Sequence, residues 1–154
     1  MKIIVLAGGL STERDVSLSS AAGICRTLVE KGHDAFLLDV FMGLENAPEN
    51  LEDVFTLPDH GLEIVKNIST EEPDLEAVKA SRPDQSDCFF GPNVIELCRL
   101  ADITFLGLHG GEGENGKLQA SFDLLGIKYT GPDSLGCAVA MHKGVAKQIF
   151  LESG

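Results

Sequence analysis

The sequence predicts an α/β protein, a Rossmann-like doubly wound parallel sheet, on three observations. Residues 3–7, 35–41 and 103–108 are short, largely apolar runs without polar alternation, the pattern of strands covered on both faces. Stretches whose apolar residues recur every 3.6 positions lie between them, as crossover helices require. Glycine clusters at 8–9 and 110–116 directly follow two of the runs, and open α/β sheets hold ligands beyond the carboxyl ends of their strands.

The first run, Ile3 to Ala7, is rich in β-branched residues and ends at Gly8-Gly9. Leu18, Ala21, Ala22, Cys25, Leu28 and Val29 then form the stripe of an amphipathic helix, with Gly32 as its C-terminal cap. A strand over 35–41 completes a β-α-β unit. Residues 43–92 hold five of the six prolines and few large apolar residues, so a solvated, partly irregular insertion is expected there, with 62–65 as a short strand. Order returns with a helix from Asn93, carried by Val94, Leu97, Cys98 and Leu100. The strand 103–108, a helix over 118–125, a strand over 127–130 and a last helix from Ser134 almost to the end complete the chain.

Composition narrows the function. With 44% apolar and 23% charged residues the chain reads as one ordinary globular domain. It has no run of about 18 apolar residues, so no membrane partner is expected. The N-terminal apolar stretch is too short for a signal peptide, which implies a cytoplasmic start. Net charge is −12, and residues 42–102 hold 14 acids against 4 bases. Such a segment repels phosphate backbones, and nucleic acid is not an expected partner. Cys25, Cys88, Cys98 and Cys137 show no C-x-x-C spacing, and most sit among apolar neighbours as core thiols would. His33 and His60 read as surface residues.

The second glycine cluster spells two motifs at once. Gly111, Gly113 and Gly116 give G-x-G-x-x-G, and Gly111 to Lys117 give G-x-x-x-x-G-K. A P-loop needs Ser or Thr after the lysine, where Leu118 stands, and Glu112 and Glu114 would oppose any phosphate in the cradle. The same carboxylates count against a dinucleotide. At the first cluster, Ser11, Thr12, Glu13, Arg14 and Asp15 crowd the start of a helix; capping explains some of them, but not the paired glycines before them.

Taken together, GGLSTERDVSLSS at 8–20, LGLHGGEGENGKLQ through LLGIKYTGPDS, and AVAMHKGVAKQIF occur in one order. They resemble the amino-terminal third to half of a D-alanine-D-alanine ligase of the ATP-grasp superfamily, and the resemblance covers most of the chain. It implies a pre-ATP-grasp, D-alanine-binding domain over residues 1–154, with the acidic insertion at about 43–92 and the central and carboxy-terminal ATP-grasp domains absent. The implied activity joins two D-alanines through an acyl phosphate at the expense of ATP, with Mg²⁺ or Mn²⁺, for peptidoglycan. A homodimer is implied for the full-length enzyme, and no ligase activity for this part alone.

Residue by residue, Glu13 matches the glutamate that orients the first D-alanine by its ammonium group. His109 matches the histidine beside that substrate, and Lys143 the lysine that contacts ATP phosphates. Ser17 is counted among the substrate-facing candidates, although from the residues alone Ser17 and Arg14 fit better as braces of the loop. Three positions depart from the family pattern: Asp15 for Glu, Asn115 for Asp, and His142 for the Asp of Met-Asp-Lys. A stand-alone Rossmann-like module that binds a small ligand or dinucleotide is the alternative, as is an interaction domain using the acidic segment.

Overall fold

The computed structural model describes residues 1–66 and 72–154. Three parallel strands form the sheet: β1 (Lys2–Ala7), β2 (Asp34–Asp39) and β3 (Ile103–Leu106), in the order β2-β1-β3. The helices are α1 (Arg14–Glu30), α2 (Leu75–Ser81), α3 (Val94–Leu100), the single turn α4 (Gly111–Glu114), α5 (Lys117–Leu125), α6 (Ser134–Met141) and α7 (Lys143–Ser153).

Strand β1 is central, and its alternate residues divide between two cores. Ile4 and Leu6 join Phe36, Leu38 and Val40 against α3 and α5, where Leu97, Leu118 and Phe122 are buried. Ile3, Val5 and Ala7 face the other way, onto Leu18, Ala21, Ala22 and Cys25 of α1. Burial on both faces explains why these strands carry no polar alternation. Each large apolar side chain removed from water contributes about 1.5 to 3 kcal/mol. The doubly wound parallel architecture expected from the sequence is therefore the one observed.

Several elements differ from expectation. β2 stops at Asp39, because the Asp39 carboxylate accepts the amides of Phe41 (2.9 Å) and Met42 (3.1 Å) and turns the chain. Residues 127–130 make one parallel bridge, Thr104 with Tyr129, instead of a full strand. Residues 62–65 form a 3-10 helix, not a strand.

Segment 43–92, of which 67–71 lie outside the described residues, is not solvated throughout. Val54 and Phe55 enter the main core. Arg82 is 1% exposed and organises the loop after α2 by donating to the carbonyls of Cys88 and Phe90 and pairing with Asp84. Helix α2 itself is capped by Asp74, whose side chain accepts from Glu76 and Ala77. His60 is half-buried, its Nδ1 3.1 Å from the Ala35 carbonyl. It was expected on the surface because a histidine in an acidic loop carries no sign of the strand edge it meets.

All four cysteines are free thiols; Cys25, Cys98 and Cys137 are buried and Cys88 is exposed. Burial pushes the Cys25 thiol up from the usual 9.0 to about 11, and that of Cys98 to about 12.

Candidate functional site

From β1 the chain crosses to β2 on one side, and β3 lies on the other, so the strand order reverses between β1 and β3. The carboxyl ends of these two neighbours open a crevice at the switch point, where ligands bind in such sheets. The loop from Gly8 to Glu13 leaves one end and the loop from Gly107 to Gly110 leaves the other.

Ser17 ties the two ends together. It is fully buried, and its hydroxyl donates to the Gly107 carbonyl (2.7 Å) while accepting the Gly8 amide (3.0 Å). Both interactions are with the backbone, so Ser17 is a brace beneath the site and not a residue that faces a substrate. Arg14 braces the opposite side. Its guanidinium, 7% exposed, donates to the Gly9 carbonyl (2.8 Å) and pairs with Asp39. The charge is tolerated there because each partner is hydrogen-bonded as well as neutralised. Gly8 leaves room for this pair: a Cβ at that position would lie 2.6 Å from Asp39 Oδ2.

With its neighbours fixed, Glu13 stands at the N-cap position of α1, yet its carboxylate makes no capping hydrogen bond. Its backbone amide is bonded to Ser11 Oγ (3.3 Å). The same Ser11 hydroxyl donates to the His109 carbonyl (2.7 Å), which links the two loops a second time. Gly110 adopts φ +68°, and a Cβ there would come within 2.8 Å of Glu13 Oε2. Only glycine fits that backbone conformation without strain. The result is an exposed carboxylate at a helix N-terminus, close to Gly110, while the half-buried His109 lines a shallow crevice with Gly9, Leu10, Phe89, Leu108 and Glu112. A carboxylate so placed is stabilised by the helix dipole and is ready to receive a cation.

The second glycine cluster makes no phosphate cradle. Residues 111–114 are a helical turn, Glu112 pairs with Lys117 (3.5 Å), and the glycines are needed for close packing. A Cβ at Gly113 would meet Leu108 Cβ at 2.5 Å, and one at Gly116 would meet the Ser134 carbonyl at 2.3 Å. Neither the dinucleotide nor the P-loop spelling describes this loop.

Glu13, Ser17 and His109 are thus brought together, and Lys143 is not among them. It stands exposed at the start of α7, a helix that packs on α6. Among the described residues no group of three or more His, Cys, Asp and Glu side chains is placed to hold a metal ion. Reasoning from sequence missed Asp39, Ser20 and the part of Ser11 in joining the loops. Ser20 had a signal: Glu13, Ser17 and Ser20 lie at i, i+4 and i+7, on one face of a helix.

The D-ala D-ala ligase N-terminus family model matches residues 2–132. The chain belongs to that family. It is 46% identical over 154 residues to a D-alanine-D-alanine ligase of Lacticaseibacillus casei, covering 100% of this chain and 43% of that protein. The Pediococcus pentosaceus ligase is 49% identical over 156 residues, covering 98% of this chain and 43% of that one. Among solved structures, the Coxiella burnetii ligase aligns with 100% of this chain and 42% of its own at a TM-score of 0.59 and 25% identity. The Bacillus anthracis ligase complexed with ATP gives 0.61 at 22% identity, covering 100% and 37%, a likeness of fold. The chain therefore spans about 43% of the length of these curated relatives.

Two of the three departures from the family pattern have structural explanations. Asn115 Oδ1 accepts the Lys117 amide (3.0 Å) at the start of α5, as an aspartate would. His142 interrupts what the sequence presented as one last helix and caps the second half, its Nδ1 accepting the Val145 amide (3.2 Å).

Proposed function

We propose that this chain is the D-alanine-binding, amino-terminal unit of an ATP-dependent D-alanine-D-alanine ligase, with residues 1–154 acting as one domain. The uncapped Glu13 carboxylate at the switch point carries the reading. D-Alanine is a small zwitterion, and its ammonium group needs a fixed anion. A glutamate clamped by its backbone, with a side chain that serves no cap, supplies one. His109 lines the crevice between the two loops, and in this proposal it acts on the substrate's other end.

In the proposed reaction the carboxylate of one D-alanine takes the γ-phosphoryl group of ATP, releasing ADP, and the amine of a second D-alanine attacks the acyl phosphate to form the amide and release inorganic phosphate. The part of this chain is to bind and orient the first D-alanine through Glu13 and His109, with Arg14 and Ser17 holding the loops. Lys143 contacts ATP phosphates in this proposal. Mg²⁺ finds no cluster among the described residues, so the proposal gives this chain no ligand to it and routes no step through it. Homodimer formation and a cytoplasmic place of action belong to the same proposal. Exposed Leu135, Phe150 and Leu151, 71 to 74% accessible, support burial of α6 and α7 in a larger assembly.

Titration of the ¹⁵N-labelled chain with D-alanine tests the reading. Shifts confined to the Gly9–Glu13 and His109–Gly110 backbone, lost in Glu13→Gln, are expected. Equal responses in the wild type and the variant would remove Glu13 from the site.

A further inference from the structure

We infer that Ser20 is a positioning residue for His109: its hydroxyl accepts a hydrogen bond from Nε2–H and leaves Nδ1 as the acceptor of the ring. Ser20 stands two turns along α1 from Glu13 and on the same face. Its Oγ lies 3.1 Å from the Ser17 carbonyl, one turn back, and 3.2 Å from His109 Nε2. A hydroxyl has one proton and two lone pairs. The carbonyl can only accept, and a serine proton directed to it leaves the Oγ lone pairs to receive the imidazole N–H.

A neutral imidazole carries one N–H. With that proton on Nε2, Nδ1 holds the lone pair, and the hydrogen bond made by one ring nitrogen fixes the role of the other. The His109 carbonyl is held independently by Ser11 Oγ at 2.7 Å. Backbone and ring are thereby anchored by two serines of one loop-helix segment, the segment that also carries Glu13. The carboxylate and the imidazole are oriented by the same piece of chain.

This role is separable from stability. Ser20 is exposed, and alanine is a better helix former than serine, so Ser20→Ala should leave the melting temperature unchanged or slightly raised. The consequence for D-alanine rests on the function proposed above; the consequence for the ring does not.

Long-range ¹H–¹⁵N correlation on the labelled chain, at a pH where His109 is neutral, reads the tautomer directly. The wild type is expected to show Nε2–H alone, Ser20→Ala a mixture of both tautomers, and Ser20→Thr, which keeps the hydroxyl, a return to Nε2–H. Nδ1–H in the wild type, or an unchanged ring spectrum in Ser20→Ala, would overturn the inference. In a parallel D-alanine titration Ser20→Ala should weaken binding by about two- to tenfold, the loss of one hydrogen bond's worth of orientation, with Ser20→Thr close to wild type. A locked tautomer in a wild-type chain that gives no D-alanine response would uphold Ser20 as the anchor and refute the ligand instead.

Discussion

Two carboxylates separated by one helix carry opposite duties. Glu13 is exposed and uncapped, whereas Asp39 is 3% exposed and fully engaged by Arg14 and two amides. Glu13→Gln keeps the shape and removes the charge. If Glu13 holds the substrate ammonium as proposed, a charge-assisted hydrogen bond of roughly 1.5 to 3 kcal/mol is lost, and the apparent affinity for the first D-alanine in a full-length ligase should fall at least about tenfold. Stability should fall by only about 0.3 to 1 kcal/mol, the helix-dipole contribution. Kinetics and melting on the same variant separate the two, and intact kinetics beside a lowered melting point would make Glu13 a structural residue. Asp39→Ala should behave in the reverse sense. It leaves a buried guanidinium without its partner, and denaturant unfolding should show a loss of about 3 to 5 kcal/mol.

At the level of elements, the break at His142 gives α7 its own N-terminus, held by a ring nitrogen. His142→Ala should cost about 0.5 to 2 kcal/mol of local helix stability, whereas His142→Asp, a strong capping residue, should keep it or raise it. Amide exchange at Val145 and Ala146 measures both. A single uninterrupted helix in the His142→Ala variant would contradict this account. The same break shows what sequence periodicity conveys and what it does not. The buried runs of β1 and β2 and the stripe of α1 were legible because apolar pattern is dictated by burial on both faces of the sheet. A cap made by a histidine leaves no such pattern. The 3-10 helix at residues 51–56 was missed for a related reason: Leu51, Val54 and Phe55 pack on the core at helical spacing, but three residues in an acidic, proline-rich stretch are too short a run to establish a period. Of the candidate site, Glu13 and His109 were singled out through a motif, and Ser17 as a brace through its place near the helix start. Asp39 was not, since its partner Arg14 is 25 residues away in the chain and only the crossover brings them together.

For the whole molecule, the buried thiols set an alkaline limit. The unfolded chain loses these protons near the usual 9.0, while the folded chain keeps them to about 11 at Cys25 and about 12 at Cys98. Their contribution is fully present below pH 9 and is lost as pH rises through the folded values, with a slope of up to about 1.4 kcal/mol per thiol per pH unit. Unfolding curves between pH 8 and 11 should show the decline, and alanine at both positions should flatten it. A chain that spans about 43% of the ligases it resembles should release no phosphate from ATP with Mg²⁺ and D-alanine, and turnover by the purified chain would refute that division of labour. The buried Ser17 hydroxyl, joined to the ends of two strands at once, has a mechanical consequence. Because one hydroxyl of α1 joins the chain at the ends of β1 and β3, both loops are tied to a single helix, and a displacement of that helix would be felt by both. A ligand that entered between these loops would meet a preset jaw.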